Sequence, residues 1–450
     1  MKQYNYKNFY YENYTIETLD NIIKISFEFS IEGLTKFNPS LTIDKKKFKF
    51  FNNLNNSTAK RIVFCMGMVE LISYWKCVCP PNIFINCAYI DQEEILWWKK
   101  LYFLGLGEFF YTNSITPKFD SFVNIICTSK DTFDINDYSF NKNDTYSNLI
   151  PVGGGKDSIV TLELLKSLKD KNLPLIINPR GASIESAHIA GYTNDKIFTI
   201  SRAIDPNLLS LNKKGFLNGH TPFSAMLGFT SLLVGYIMGI TNIVLSNESS
   251  ANESNIQGTN INHQYSKSLE FELDFSNYIK KYISCDINYF SLLRPFSEIK
   301  IAQLFSKHKK YYSVFKSCNV GSKKDIWCGN CPKCMFVYII MLPFMELSDL
   351  KTIFGKDMLD DYNLLSIFRG LIGMDPVKPF ECVGTIEEVN LALNLAYDRH
   401  YKDSNLPILL DYYIKNYTGN KYINSTSLIS FNENNIPDNL LRIVGDLQHD

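Results

Sequence analysis

The sequence predicts an α/β protein with a doubly wound parallel sheet, an N-terminal α+β domain before it and a helical C-terminal extension after it. Short apolar segments alternate with helical patterns from about residue 147, an order typical of parallel sheets. A glycine turn joins the first of these segments to a helix, and beyond Met341 only helical patterns recur. We therefore expect domains over residues 1–145, 146–340 and 341–450, a number that 450 residues can accommodate.

The first 145 residues are expected to form a packed α+β core. Residues 21–30 alternate apolar and polar side chains, as a half-buried strand does. Apolar residues recur at helical spacing over residues 61–76 and 93–111, and the second helix carries Trp97 and Trp98. Core packing explains the dense aromatic residues, and the alternative is an aromatic platform that recognises the substrate.

The second domain follows a polar connection over residues 131–147. Its predicted strands cover residues 149–152, 174–178, 196–200 and 242–246, and its first helix covers residues 157–169. Because ligands of such sheets bind at the carboxyl ends of the strands, polar residues that follow these strands are candidate site residues. Helices of the C-terminal domain are expected over residues 348–354, 360–371, 386–400 and 406–417.

The most apolar stretch, residues 225–245, contains no charged residue and is long enough to span a bilayer. Glycines interrupt it, so we interpret it as a buried helix over residues 222–238 followed by the strand at 242–246. The amino terminus lacks the apolar core of a signal peptide, which favours a cytoplasmic protein without a membrane partner. The formal net charge is zero, which argues against a nucleic-acid partner.

The strongest motif is Pro-Val-Gly-Gly-Gly-Lys-Asp-Ser at residues 151–158, between a predicted strand and a predicted helix. Glycines let the backbone approach a phosphate closely, and the N–H groups of the helix start bind anions. Lys156 would add positive charge, Ser158 a hydroxyl donor, and Asp157 a carboxylate that shares Mg²⁺ with a nucleotide. The alternative is an ordinary glycine-rich turn.

A second polar cluster, Ser-Asn-Glu-Ser-Ser-Ala-Asn-Glu-Ser-Asn at residues 246–255, follows the last predicted strand. Glu248 and Glu253 are candidates for metal coordination, substrate binding or general-base work. His220 and His263 lie in neighbouring polar segments and are weaker candidates, because a lone histidine is more often structural. A solvated loop is the alternative for the whole cluster.

Four of the eleven cysteines have the spacing of a metal site. A tetrahedral Cys₄ zinc site is favoured, with an iron–sulfur cluster or inert thiols as alternatives. These four residues are Cys318, Cys328, Cys331 and Cys334. The other seven show no metal spacing, and most of them are expected to be small buried hydrophobic residues: Cys65, Cys77, Cys79, Cys87, Cys127, Cys285 and Cys382.

The motif at residues 151–158 resembles the SGGxDS loop of the PP-loop ATP pyrophosphatases, with Gly153 where that family usually has serine. The Cys-Gly-Asn-Cys-Pro-Lys-Cys segment at residues 328–334 is similar to the cluster of the deazaguanine-synthase branch. Together with Ser-Asn-Glu-Ser-Ser-Ala-Asn-Glu at residues 246–253, the chain looks closest to the UDP-N-acetylmuramoyl-L-alanyl-L-glutamate epimerase (MurL) family. These motifs lie between residues 150 and 334.

The resemblance implies a PP-loop type sheet and an ATP-dependent, AMP-forming epimerase of cytoplasmic peptidoglycan precursors. The expected partners are a UDP-linked muramoyl dipeptide as substrate, ATP, Mg²⁺ and a structural Zn²⁺. On this interpretation Asp157 contacts Mg²⁺, Lys156 neutralises phosphate charge, and Glu248 or Glu253 serves the metal, the substrate or the proton transfer. The pyrophosphate end of ATP would be held by Gly153, Gly154, Gly155 and Ser158.

Two other functions stay open from the sequence. The first is a different PP-loop enzyme, such as a ligase or a sulfur-transfer enzyme, for which the cysteine cluster could supply chemistry. The second is a zinc-braced module that binds ATP without releasing pyrophosphate. The α-proton base of an epimerase cannot be identified from the motifs.

Overall fold

The protein has a mixed α/β fold in which helices pack on both faces of one large sheet. A computed structural model describes residues 5–45, 52, 54–134, 140–256, 258–259, 261–402, 404–419, 433–445 and 447. Residues 135–139 of the polar connection predicted over 131–147 lie outside this set.

Within the described residues, eleven strands join one sheet. The strands are β1 (Asn8–Thr18), β2 (Ile22–Ile31), β3 (Thr35–Phe37), β4 (Ser40–Asp44), β5 (Asn82–Ile85), β6 (Asn124–Cys127), β7 (Asn148–Pro151), β8 (Asn172–Ile177), β9 (Phe198–Ala203), β10 (Asn242–Leu245) and β11 (Asn288–Ser291). Their spatial order is β11-β10-β7-β8-β9-β4-β2-β1-β5-β6, and β3 pairs with β2. The strands predicted at 21–30, 149–152, 174–178, 196–200 and 242–246 are confirmed as β2, β7, β8, β9 and β10.

The five strands from β11 to β9 are mutually parallel, and a ladder of asparagines fixes the register of four of them. The side chain of Asn288 donates to Asn242 at 2.9 Å, Asn242 donates to Asn148 at 3.0 Å, and Asn148 donates to Asn172 at 2.8 Å. Each asparagine is the first residue of its strand, so the amide ladder runs along the amino edge of the sheet. The opposite, carboxyl edge is left for the loops that carry the candidate site.

The N-terminal strands continue the same sheet. Strand β4 pairs antiparallel with β9, with Ser40 opposite Ala203 and Ile43 opposite Ile200. The sheet is therefore continuous across residue 145, and the domain boundary there stays a prediction.

Helices cover the sheet, although the helix predicted over 157–169 ends at Leu164 and that predicted over 360–371 begins at Leu365. They are α1 (Ser57–Trp75), α2 (Gln92–Gly105), α3 (Gly107–Thr112), α4 (Lys156–Leu164), α5 (Gly181–Ile189), α6 (Pro206–Lys213), α7 (Phe223–Met238), α8 (Leu269–Tyr278), α9 (Glu298–Ser306), α10 (Pro332–Met341), α11 (Leu347–Phe354), α12 (Leu365–Leu371), α13 (Ile386–Ala396), α14 (Ile408–Asn416) and α15 (Asp438–Gly445). The helix predicted over 93–111 is divided into α2 and α3 at Leu106.

Alternate residues of the central strands point into two different hydrophobic cores. Leu149 and Ile243 belong to one core, with α1, α2 and α7, whereas Ile150 and Val244 belong to the other, with α4, α9 and α10. Because successive side chains of a strand point to opposite faces, the two cores lie on the two faces of the sheet. Trp98 is fully buried in the first core, where it packs against Phe229 and Tyr278.

The apolar stretch at 225–245 divides as predicted into buried helix α7 and strand β10. Gly239 ends the helix in the left-handed conformation, with a φ of +67°. Over the described residues, none of the helices combines the length and the apolar character that a membrane span requires.

Candidate active site

The glycine-rich loop lies at the carboxyl end of β7, where the chain turns into α4. Gly155 is the N-cap of α4 and has extended dihedral angles, so the unpaired N–H groups of the first helical turn lie beside the loop. Gly154 has a φ of +84°, and a Cβ there would lie 2.7 Å from backbone atoms of Ala182 and Ser183. A residue without a side chain is therefore required at Gly154, which holds the loop against the start of α5.

The other loop residues differ in how open they are. A Cβ at Gly153 would meet no atom within 4 Å, so this residue lies on the open side of the loop. The Ser158 hydroxyl donates to the carbonyl oxygen of Gly155 at 3.1 Å and thus closes the first turn of α4. Contacts of these residues with a phosphate stay a prediction.

Lys156 points into the protein rather than outward. Its ammonium donates to Asp157 Oδ1 and to Glu298 Oε2, the first residue of α9. The side chains of Lys156 and Glu298 are only 2% and 1% exposed, whereas that of Asp157 is 28% exposed. We call these three residues the lysine cluster, and Asp157 is its one member within reach of solvent.

The charges of the lysine cluster depend on one another. Burial disfavours the ammonium of Lys156, but Asp157, Glu298 and Glu248 outweigh burial and raise its pKa. Burial raises the pKa of Glu298 to about 8. The charge of Lys156 opposes this increase, and the neighbouring carboxylates Asp157 and Glu248 add to it. Burial would also raise the pKa of Asp157, but Lys156 and then Lys333 hold it below its usual value. The site thus keeps a carboxylate at its surface and a more easily protonated carboxyl beneath it.

The two predicted glutamates lie in different surroundings. Glu248 follows β10, is 4% exposed, and is close enough to Lys156 and Glu298 to shift the pKa of both. Glu253 instead forms an ion pair with Lys378, which precedes α13. The structure therefore brings Glu248 to the glycine loop and ties Glu253 to the C-terminal part of the chain, while the catalytic role of either stays a prediction.

The four cysteines with metal spacing converge, and all four sulfur atoms lie within 4.8 Å of one another. The separations of Cys331 and Cys334, Cys318 and Cys331, and Cys328 and Cys334 are 3.5, 3.7 and 3.7 Å. A tetrahedral zinc ion with Zn–S bonds of about 2.3 Å places its sulfurs about 3.8 Å apart, so these positions fit one ion. A four-iron cluster would hold the sulfurs farther apart, because iron and sulfide fill the space between them.

Cys382 differs from the buried hydrophobic residues that were expected for most of the cysteines outside this site. Burial raises the pKa of Cys65, Cys77, Cys79 and Cys285 to about 12, as expected for such residues. Cys382 is only partly buried, and Lys267 Nζ lies 3.0 Å from its sulfur. Burial would raise the pKa of the Cys382 thiol, but Lys267, His263 and Lys333 lower it to about 6.

The two predicted histidines lie beside each other, and His263 is close enough to Cys382 to influence its thiol. The Nδ1 atom of His263 is paired with Glu108 Oε2. His220 Nδ1 lies 3.6 Å from the same Glu108 oxygen, and the two imidazole rings are 4.2 Å apart. Burial disfavours the charged form of both rings. Cys382 and Glu108 nevertheless raise the pKa of His263 to about 9. The pKa of His220 is lowered to about 3, by burial first and then by the neighbouring His263. We call Cys382, His263, Glu108 and Lys267 the thiol cluster.

Lys267 connects the thiol cluster to the glycine loop. Burial disfavours its ammonium, but Cys382, Glu248 and Asp157 together raise its pKa. Asp157 is in turn influenced by Lys267. The ammonium of Lys267 therefore interacts with both the Cys382 thiol and the carboxylates beside the glycine loop, Glu248 and Asp157.

A cavity of about 910 Å³ is lined by residues of the polar segments that follow β10. Its lining includes Asn262 and Ser268, which are sequence neighbours of His263 and Lys267, together with Asn252 and Tyr265. Among the described residues, its lining includes neither the glycine loop nor a member of the thiol cluster. The cavity thus provides polar space for a large ligand.

Sequence reasoning found the glycine loop and the four cysteines, but it missed Glu298, Glu108 and Cys382. These residues lie in segments without a motif, and Cys382 is separated from Lys267 by 115 positions. The one available signal was the polar segment with His263 and Lys267, which needed a thiol partner from elsewhere in the chain.

Comparison with known proteins identifies two family domains in the chain. The family model described as the MurL N-terminal domain matches residues 1–292, and that of the MurL C-terminal domain matches residues 313–417. Cys382 lies in the second match, and the other members of the thiol cluster lie in the first.

Three relatives carry the name UDP-N-acetyl-alpha-D-muramoyl-L-alanyl-L-glutamate epimerase. The protein of Xanthomonas oryzae pv. oryzae is 32% identical over 353 residues, which are 77% of this chain and 76% of the relative. That of Salinispora tropica is 34% identical over 75% of this chain and 74% of its own length. That of Micromonospora sp. is 34% identical over 75% of each chain. With both family domains matched and this identity over most of its length, the chain belongs to the MurL family.

Proposed function

We propose that this chain is an epimerase that inverts the terminal glutamyl residue of UDP-N-acetyl-α-D-muramoyl-L-alanyl-L-glutamate. The names of three relatives at 32–34% identity support this activity and this substrate. The enzyme is then an isomerase of peptidoglycan biosynthesis. Since the substrate and ATP are both cytoplasmic metabolites, we place the reaction in the cytoplasm.

The chemistry explains why ATP would be needed. Removing the α-proton of a free carboxylate would place two negative charges on adjacent atoms. If a carboxylate oxygen first attacks the α-phosphorus of ATP, pyrophosphate leaves and a neutral acyl group remains beside Cα. The electron pair left by the proton then delocalises into the acyl carbonyl. After reprotonation on the other face, water cleaves the acyl adenylate to AMP and the D-glutamyl product.

The glycine loop is the observation that supports ATP use most directly. Gly153 lies open, Gly154 permits the close turn, and the unpaired N–H groups of α4 lie beside them. Asp157 is the exposed carboxylate at this position, and Mg²⁺ bound there would neutralise the charge of the phosphates. Lys156 holds Asp157 in place and keeps it ionised.

We further propose that the parallel strands β7 to β11 form a PP-loop type, doubly wound ATP domain, and that the helices beyond residue 341 form an extension to it. The four-cysteine site would hold one structural Zn²⁺, since its sulfur separations of 3.5–3.7 Å suit a single ion. These same distances argue against an iron–sulfur cluster at this site, because its iron and sulfide atoms would hold the four cysteine sulfurs farther apart. A different PP-loop adenylating enzyme remains the second candidate.

The decisive experiment is incubation of the purified protein with ATP, Mg²⁺ and UDP-N-acetylmuramoyl-L-alanyl-L-glutamate in D₂O. We expect AMP, pyrophosphate and a D-glutamyl product that carries deuterium at Cα. Epimerisation without AMP would contradict the adenylation step. Absence of both AMP and deuterium exchange would contradict the substrate.

A further inference from the structure

The segment that carries Cys382 is fixed at several points. The Lys378 backbone N–H donates to Asn255 O at 2.9 Å, and the Asn255 side chain donates to Pro379 O at 3.0 Å. The ammonium of Lys333, in the first turn of α10, donates to the carbonyl oxygen of Cys382 itself. The sulfur is therefore held by contacts from two other segments of the chain rather than carried on a free loop.

The polar contacts of Cys382 form a chain of three groups. Its sulfur interacts with the imidazole of His263, whose Nδ1 is paired with Glu108. Because Nδ1 is taken by Glu108, the second ring nitrogen is the one available to the sulfur. A carboxylate, an imidazole and a thiol in this order are a known arrangement for activating a nucleophile or base.

The charges around the sulfur favour a thiolate. Lys267, His263 and Lys333 face it, and they outweigh burial so that the pKa of the thiol is about 6. The neighbouring carboxyl group belongs to Glu381, and its pKa is raised by burial and by the charge of Cys382. Because Glu381 is then protonated more easily, its negative charge repels the thiolate less. At neutral pH the pair is then a thiolate beside an imidazolium, with Cys382 partly exposed to solvent.

We infer that Cys382 is the catalytic base that removes the α-proton of the activated L-glutamyl residue, an inference that rests on the proposed function. The Cα–H bond breaks, an S–H bond forms, and the electron pair moves into the acyl carbonyl. A proton from water then forms the new C–H bond on the opposite face, and the thiol returns its proton to water. His263 and Glu108 act as positioning residues that keep the sulfur ionised.

Two positions support this role. Lys267, 3.0 Å from the sulfur, also interacts with Asp157 and Glu248, so the thiol lies on the side of the glycine loop where the adenylate would form. The cavity of about 910 Å³ is lined by Asn262 and Ser268, the sequence neighbours of His263 and Lys267, and offers space for the UDP-sugar. A base works best when its pKa is close to the working pH, and the value of about 6 meets that condition.

The test compares Cys382→Ala and Cys382→Ser with Cys79→Ser, a matched control outside the site. We measure substrate-dependent ATP–pyrophosphate exchange for adenylation, and deuterium at Cα for proton transfer. Both Cys382 variants should lose deuterium incorporation by about 100- to 10,000-fold while adenylation stays within about threefold of wild type. Inversion by Cys382→Ala at the wild-type rate would overturn the inference, and so would an equal loss of both steps. No adenylation by the wild-type protein would instead overturn the proposed function.

A second measurement needs no Cys382 variant. Alkylation of Cys382 by iodoacetamide, followed by peptide mapping, should rise with pH around a midpoint of about 6, together with the rate of Cα exchange. Glu108→Gln removes a carboxylate that favours the charged form of His263, so the midpoints of alkylation and of Cα exchange should both move to higher pH. A Cys382 midpoint near the ordinary thiol value of about 8.5 would overturn the inference.

Discussion

The lysine cluster and the thiol cluster are linked through Lys267 but are built differently. Lys156 and Asp157 are adjacent in sequence and need one partner, Glu298, from another segment. The thiol cluster draws Glu108, His263 and Cys382 from three separate segments. One cluster is based on adjacent residues, and the other depends on residues that only the fold brings together.

This difference separates two kinds of work. In the lysine cluster each charge has a close partner, which keeps Lys156 protonated and Asp157 ionised over a wide pH range. Such a cluster can hold a loop and a metal ion, but it cannot easily exchange protons. In the thiol cluster the pKa values of Cys382 and His263, about 6 and about 9, lie on either side of neutrality. The second cluster is therefore suited to proton transfer.

Asp157→Asn is the variant with the largest expected effect, and it tests whether the lysine cluster serves ATP and the thiol cluster serves proton transfer. The variant removes the exposed carboxylate but leaves Lys156 paired with Glu298, so the fold should persist. We expect AMP formation to fall by about 1000-fold, since loss of metal-ion catalysis removes several kcal/mol of transition-state stabilisation. Alkylation of Cys382 at pH 7 should stay close to the wild-type rate, because the thiol keeps Lys267 and His263.

Asp170→Asn is the matched control for this prediction, because Asp170 is exposed and lies beyond the far end of α4. It should form AMP at the wild-type rate. Wild-type AMP formation by Asp157→Asn would remove the proposed metal role of this carboxylate, and a changed reactivity of Cys382 would show that the two clusters are not separable.

Gly154→Ala is expected to have the next largest effect. The new methyl group would lie 2.7 Å from backbone atoms of Ala182 and Ser183, at a φ of +84°. Strain of this kind costs about 1–3 kcal/mol, so thermal stability should fall and ATP affinity should drop by about 10- to 100-fold as the loop moves. Gly153→Ala is the matched control for stability, because its Cβ meets no atom within 4 Å. Equal unfolding temperatures for the two variants would contradict the packing described here.

The contrast between the clusters also explains how much the sequence could predict. Local patterns were sufficient for β7 to β10 and α7, because alternation, helical spacing and turn residues lie within each segment. The pairing of β4 with β9 was not predictable, since its partners are about 160 positions apart and carry no shared motif. The continuous sheet is thus a property of tertiary packing.

The same limit applies within the site. The glycine loop was identified because its chemistry is contained in eight consecutive residues, 151–158. The sequence could not show that Lys156 turns inward, because its buried partner Glu298 lies 142 positions away. The sequence did not distinguish Cys382 from the other cysteines without metal spacing, because neither Lys267 nor His263 is near it in sequence. Burial and electrostatic partners, rather than residue type, distinguish it from Cys65.

The smallest expected effect comes from the link between the four-cysteine site and the thiol cluster. Lys333 lies between two of these cysteines and donates to the carbonyl oxygen of Cys382. Lys333→Met removes this hydrogen bond and a positive charge. Cα exchange should fall by about tenfold, which is the effect of losing one charged hydrogen bond. The pH midpoint of Cα exchange should move to higher pH, because Lys333 lowers the pKa of Cys382. Lys356→Met, which loses a 2.8 Å bond to Asn330 beside the same site, should exchange like wild type, and elemental analysis should find one zinc per chain in both variants. If AMP formation falls as much as Cα exchange in Lys333→Met, then Lys333 supports both clusters equally, and the two clusters do not act separately at this residue.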